Sequence, residues 1–241
     1  MDDSEGREQP EASDQGPLNP ETHEQRSHAC STGNMSQHFE IHPTHPQPRL
    51  IRRAVELLRA GGVVAYPTDS CYALGCAIGN KDAMQRIRRI RQLSDRHNLT
   101  LVCRDLSELA SYAKVDNRAF RLLRAGTPGP YTFILKATRE VPRRLQNPRR
   151  KTIGLRVPNH PVARLLLEQL GEPLMSATLI LPGETLPLAD ADTIVERLDS
   201  QIDLVLDCGN RGIEPSTVID LTEVPPRVLR AGRGDPALVN G

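Results

Sequence analysis

Apolar residues recur at helical spacing from Leu50 through Ile51, Ala54, Val55 and Leu57 to Leu58 and stop at Gly61-Gly62, which predicts a helix closed by glycine. The run Val63-Val64-Ala65-Tyr66 then predicts a short buried strand ending at Pro67. Asn80 is placed to cap a helix running to about Gln92, with Ala83, Met84, Ile87 and Ile90 inward and Arg86, Arg88 and Arg89 on other faces. Further strands are expected over residues 99–103, 131–136, 153–157, 174–176, 204–206, 217–220 and 228–230. Helices are expected over residues 116–125 and from Pro161 to Gly171. Strands and helices alternate without strict βαβ regularity, so the expected class is α/β, with a mixed sheet flanked by helices.

Residues 1–34 break this pattern. They contain no Val, Ile, Phe, Tyr or Trp and are dominated by Glu, Gln, Ser, Pro and Asp. Such a stretch buries too little apolar surface to order itself, so it is read as a disordered acidic tail before one domain over residues 35–241. Alternating apolar residues return after Met35, which makes Met35 a candidate translation start. The apolar runs are far shorter than the roughly 20 residues of a membrane-spanning helix. The acidic N-terminus resembles neither a secretory signal nor a mitochondrial transit peptide, so a soluble, cytoplasmic protein is expected. The five cysteines form no CxxC pair and no Cys/His spacing of a zinc site, so they are read as reduced and mostly core thiols, and no metal site is assigned.

Charge sharpens the picture. Residues 1–34 carry eight acids and two arginines, and the remainder carries 29 basic and 22 acidic residues. The chain has 27 Arg against 4 Lys. Arginine suits bidentate recognition of phosphate and carboxylate, although a GC-rich genome produces the same bias with no functional meaning. Residues 75–82 (GCAIGNKD) are one residue short of a phosphate-binding P-loop and lack its Ser or Thr, no GxGxxG follows a strand, and no GxSxG elbow occurs. His42, His45, His97 and His160 lie beside prolines or in loops. What remains is a series of polar turns at strand ends: residues 67–75, 91–98 and 127–132, Arg156, residues 215–220 and residues 230–232. Ligands of open α/β sheets sit at such strand ends.

The wording of these turns is specific. Residues 61–75 (GGVVAYPTDSCYALG), 127–133 (TPGPYTF), 151–158 (KTIGLRVP), 172–176 (EPLMS) and 215–221 (PSTVIDL) resemble the YrdC-like superfamily over about residues 35–235. The phrases IRQLSDRHNLTLVCRDLSEL and PGPYTFILKATREVPRRL resemble its YciO branch. The resemblance implies a twisted mixed sheet with a basic concave face. It implies two activities: binding of double-stranded RNA, and synthesis of threonylcarbamoyl-AMP from L-threonine, bicarbonate and ATP with Mg²⁺ for tRNA modification. By the same resemblance, Thr68 and Tyr72 belong to the amino-acid end, and Thr132, Arg156, Ser216 and Arg230 to the nucleotide end. The synthases' Lys-x-Arg pair falls on Arg91 and Leu93, and their Ser-Ala-Asn on Thr178-Leu179-Ile180, so one cation and one amide are lost. Arg91 and Arg156 are the candidate catalytic groups, and Arg96 and His97 are candidate replacements. The rival expectation is a non-catalytic binder of double-stranded RNA or tRNA. It would use Arg86, Arg88 and Arg89 on one helix with Arg143, Arg144, Arg149, Arg150 and Lys151 around a loop, unless these form only a solvated charged face.

Overall fold

The fold is described from a computed structural model of the chain, which covers residues 35–94, 97, 99–147 and 149–240. The expected tail over residues 1–34 and the candidate Arg96 lie outside the described residues.

Ten strands form one twisted sheet in the order β1-β8-β2-β3-β7-β4-β6-β5-β9-β10. The strands are β1 (Gln37–Glu40), β2 (Val64–Pro67), β3 (Tyr72–Ala77), β4 (Thr100–Val102), β5 (Tyr131–Lys136), β6 (Thr152–Arg156), β7 (Leu174–Thr178), β8 (Leu204–Asp207), β9 (Thr217–Asp220) and β10 (Arg227–Arg230). β1, β8 and β2 run parallel, as do β4 with β6 and β5 with β9, while the remaining neighbours pair antiparallel. The helices are α1 (Pro48–Arg59), α2 (Lys81–Arg91), α3 (Leu106–Tyr112), α4 (Asn117–Gly126), α5 (Pro161–Leu170) and α6 (Ala191–Leu198).

Two apolar layers sandwich the sheet. On one face, Ile51, Val55 and Leu58 of α1 and Val162, Leu166 and Leu170 of α5 pack on Val64, Tyr66, Leu204 and Leu206. On the other, Met84 and Ile87 of α2, Leu109 of α3, Leu123 of α4 and Ile194 of α6 pack on Ala65, Leu74, Leu101, Phe133, Leu155 and Ile219. β2 and β8 are covered on both faces, which is why their sequences run continuously apolar rather than alternating. No helix among the described residues is long and apolar enough to cross a membrane.

The helix boundaries follow their caps. The Asn80, Asp105, Asp116 and Asp190 side chains accept first-turn N–H groups of α2, α3, α4 and α6. Gly171 closes α5 in the left-handed region at φ 77°. Four elements differ from the expectation. β1 is a strand where the alternation after Met35 is too short to predict one by itself. β3 occupies part of what reads as a polar turn, because YALGCA is buried on both faces and built from small residues that give no strand pattern. α3 and α6, seven and eight residues long, are too short to show helical periodicity.

Candidate functional site

α1 and α5 pack over the β1-β8-β2-β3 part of their face and reach Leu174 of β7 and Val102 of β4. Beyond it, the strand period of two turns a row of polar side chains toward a cavity of about 350 Å³. In β5, Thr132 and Ile134 face the cavity while Phe133 and Leu135 enter the core below, and in β9 Val218 faces the cavity while Ile219 enters the core. Gly154 of β6 lies between Thr100 and Thr132, where a Cβ would come within 3.1 Å of the Thr100 Oγ1. The floor is therefore paved by Thr100, Thr132, Ser176 and Ser216, with Arg91, Arg156, Arg230 and His97 around it.

Arg156 organises one wall. Its Nη2 donates to Asp69 Oδ1 at 2.5 Å, Ser70 Oγ at 2.9 Å and Thr68 Oγ1 at 3.4 Å, so it clamps the turn between β2 and β3. Thr68 stiffens that turn from within: its hydroxyl donates to the Cys71 carbonyl at 2.6 Å and accepts from the Ser70 and Cys71 backbone N–H groups. The Asp69–Arg156 pair is buried, at 11% and 8% side-chain exposure, and the Arg156 Nε has no hydrogen-bond partner among the described residues.

The opposite wall comes from β5, β9 and β10. Thr132 Oγ1 and Ser216 Oγ lie 2.8 Å apart, and Arg230 Nη2 donates to the Ser216 carbonyl at 2.7 Å. Gly232 allows the chain to pass over this wall, since a Cβ there would lie 2.1 Å from the Pro215 carbonyl oxygen. On the floor, Ser176 Oγ donates to the Leu74 carbonyl at 3.0 Å. Its proton being committed there, Ser176 accepts the Tyr66 hydroxyl hydrogen at 2.8 Å. Burial pushes the Tyr66 phenol up to about 12, so it stays neutral.

The electrostatics are lopsided. No carboxylate is among the described residues that line the cavity, and of its three guanidinium groups Arg156 is the one with a carboxylate partner, Asp69, among the described residues. Burial, then repulsion by Arg230, holds Arg91 below its ordinary value, and its Nε is buried without a partner among the described residues. Burial and the Arg156 charge also lower Arg230, against a raising contribution from Cys71. His97 is depressed by burial and then by Arg91, Arg88 and Arg230, which favours the neutral ring. An arrangement of this kind suits an anion with several oxygens.

The structure thus brings Thr68, Arg91, Thr132, Arg156, Thr178, Ser216 and Arg230 to one cavity. It corrects the expectation for Tyr72. As the first residue of β3 it points to the opposite face from its neighbour Ala73, which lines the cavity, and its hydroxyl donates to the Gly209 carbonyl at 2.9 Å and accepts the Cys208 N–H at 3.1 Å. The arginine surface expected to meet RNA is corrected in part. Arg86 pairs with Asp203 at 2.8 Å, Arg150 pairs with Asp220 at 2.9 Å, and Arg88 is 8% exposed with its Nη1 on the Ser94 carbonyl at 2.8 Å. Arg89, Arg149 and Lys151 remain exposed. Sequence reasoning missed Tyr66 and Ser176, because each reads as an ordinary strand residue. Leu93 packs against the core, and neither it nor Ile180 lines the cavity, so the cation and amide lost at these positions are not restored there.

A single twisted mixed sheet of this order, flanked by helices and carrying a hydroxyl- and arginine-lined cavity, defines the class as α/β, and comparison places it in a family. The family covering Sua5, YciO and YrdC, described as telomere recombination, matches residues 56–232, and the chain belongs to it. The crystal structure of Escherichia coli YciO superimposes with a TM-score of 0.83 at 58% identity, covering 85% of this chain and 100% of that one. The threonylcarbamoyl-AMP synthase of Chromobacterium violaceum is 37% identical over 190 residues, 78% of this chain and 96% of the relative. The P. abyssi Sua5, solved in complex with L-threonine, matches with a TM-score of 0.75 at 28% identity, covering 82% of this chain and 58% of that one.

Proposed function

We propose that the cavity holds the phosphates of ATP beside L-threonine, and that the chain is a YciO-like relative of the threonylcarbamoyl-AMP synthases with weak or altered adenylate-forming activity. The observation that carries this reading is the convergence of Arg91, Arg156 and Arg230 on one cavity against a single carboxylate. An excess of positive charge around one cavity, with Arg156 buried and Arg91 half-buried, favours a ligand with several anionic oxygens. A cytoplasmic site, as expected from the sequence, has ATP at hand.

In the reaction considered, a carbamate oxygen of N-carboxythreonine attacks the α-phosphorus, the new P–O bond forms, and the bond to the β,γ-pyrophosphate breaks, with Mg²⁺ arriving as part of the ATP substrate. Arg91 and Arg230 would bear the charge moving onto the phosphate oxygens. Thr132 and Ser216 would donate to the nucleotide. Arg156 would act mainly by holding the Thr68 turn, since its Nη2 is already spent on that turn. Thr178 keeps the hydroxyl of the synthases' Ser-Ala-Asn, whereas Leu93 and Ile180 remove a cation and an amide. One lost preorganised donor costs roughly 3–4 kcal/mol of transition-state stabilisation, about 10²–10³ in rate, so a slow turnover is the expectation. Incubation with ATP, Mg²⁺, L-threonine and bicarbonate, followed by mass spectrometry, should give threonylcarbamoyl-AMP from the native protein and none from Arg156→Ala. Absence of product together with absence of ATP binding would refute the reading.

A second reading, duplex RNA binding, has one specific observation in its favour. Lys114, Arg139, Arg143 and Lys151 line a groove of about 860 Å³ whose described lining contains no acidic side chain. Phosphate contacts of this kind make affinity salt-dependent. Replacing Arg139 and Lys151 by Ala should lower the slope of log K against log salt by about one each, and an unchanged slope would dismiss this groove as the contact.

A further inference from the structure

A second cavity, of about 540 Å³, lies on the far side of the Thr68–Asp69–Ser70 turn from the arginine-lined one. Its lining includes Asp69, Asn159, His160, Asn210, Arg211 and Arg233. Nothing in the reading above uses His160, Arg211 or Arg233.

His160 is 5% exposed and immediately precedes α5, whose first turn has no side-chain cap. Its Nε2 lies 2.9 Å from Arg211 Nη1. A guanidinium only donates, so Nε2 must be the acceptor and the ring hydrogen must sit on Nδ1. That Nδ1–H is buried with no acceptor among the described residues. Burial, reinforced by the Arg211 charge, depresses the imidazole to about 4 and keeps this tautomer neutral. The opposite need stands beside it. Asp69 gives Oδ1 to Arg156, while its Oδ2 is buried without a donor among the described residues. Arg211 is anchored through Nε to the Asn210 carbonyl and through Nη2 to the Cys208 carbonyl, and Arg233 has no side-chain partner among the described residues. With Asp69 and Arg156 neutralising each other, the two remaining arginines leave an excess of positive charge, and the α5 N-terminus adds to it.

We propose that this cavity binds a small oxyanion that carries one hydrogen of its own, of the monohydrogen-phosphate class. The oxygens accept from the His160 Nδ1–H and from Arg211 and Arg233, and the ligand's hydroxyl donates to Asp69 Oδ2. That last contact gives selectivity: sulfate has the same shape and charge but no hydrogen at neutral pH, so its oxygen would face a bare carboxylate oxygen. The site is independent of the nucleotide reading, because its cations are not those of the first cavity. It also touches that cavity through Asp69, whose other oxygen holds Arg156.

The experiment is calorimetric titration of the full chain with inorganic phosphate at pH 7.5 and constant ionic strength, with sulfate as the matched control. A ¹⁵N-imidazole spectrum is recorded in parallel. Phosphate should bind at least tenfold more tightly than sulfate and should shift the His160 Nδ1–H resonance. Arg233→Gln, which removes an exposed side chain and leaves the core intact, should weaken at least tenfold the phosphate binding read from the His160 resonance, whereas Arg230→Ala, in the other cavity, should leave that His160 shift unchanged. Equal affinity for sulfate, no phosphate binding, or a loss in Arg230→Ala but not in Arg233→Gln would overturn the proposal. ATP titrations of the same two variants separate this outcome from failure of the nucleotide reading, which depends on Arg230.

Discussion

Replacing Asp69 by Asn leaves the turn's shape almost unchanged and removes one negative charge. The charge removed is the partner of a guanidinium that is itself 8% exposed. Breaking a buried pair by deleting one member costs about 3–5 kcal/mol, because the survivor is left uncompensated. Here the survivor, Arg156, faces Arg91 and Arg230 across the same cavity, so the loss belongs at the upper part of that range. For a domain of this size, 1 kcal/mol corresponds to roughly 2–4 °C, so a loss of about 4–5 kcal/mol should make Asp69→Asn melt about 8–20 °C below the native protein. Scanning calorimetry at pH 7.5 reads this directly. The double variant Asp69→Asn/Arg156→Met, which removes both charges, should recover most of the loss, since no uncompensated buried charge is left behind. A fall of less than about 2 °C in Asp69→Asn, or no recovery in the double variant, would refute the claim that this pair neutralises the cavity wall.

Other consequences follow from single contacts. Tyr72→Phe orphans the Cys208 N–H and the Gly209 carbonyl and should cost about 1–3 kcal/mol in urea unfolding with no change in ATP or L-threonine affinity; a change in affinity with unaltered stability would return Tyr72 to the site. Gly232→Ala forces a Cβ against the Pro215 carbonyl and should lower both the melting temperature and ATP affinity by displacing Arg230, whereas native behaviour would mean that the chain gives way there without strain. His160 has a folded pKa near 4 against an unfolded value of about 6.5, so the unfolded chain binds more protons between them. Its contribution to stability is therefore fully present above about pH 6.5 and is lost as pH falls to about 4, by up to about 3 kcal/mol. His160→Asn should flatten that part of the stability-versus-pH curve, and an unchanged slope would contradict a neutral buried ring.

Much of the fold was readable wherever a cap or a one-sided pattern marked an element. Asn80 before α2, Asp116 before α4, and Pro161 with Gly171 around α5 fix those helices without any tertiary information. β3 escaped because both its faces are buried and Gly75 must be bare to admit the Tyr66 ring, 2.8 Å from where a Cβ would sit. α3 and α6 escaped because two turns are too few for periodicity, although Asp105 with Glu108 three residues later is a capping signal that was present. At the site, the hydroxyl and arginine turns could be named from sequence, but their grouping depends on sheet order. Tyr72 lies outside the cavity because the turn after β2 ends at Cys71, and the start of a strand decides which face each side chain takes. The surface arginines were over-read for a different reason. Arg86 finds Asp203 across 117 residues and Arg150 finds Asp220 across 70, and such pairings are set by the fold alone.

The central claim is that the arginine-lined cavity recognises a nucleotide's phosphates. Calorimetric titration of ATP into the native protein and into Arg230→Ala, at two salt concentrations, tests it most directly. The account predicts saturable binding by the native chain, weakened about ten- to hundredfold by Arg230→Ala and reduced by salt. Equal affinity in both proteins, or no ATP binding by the native chain, would contradict it.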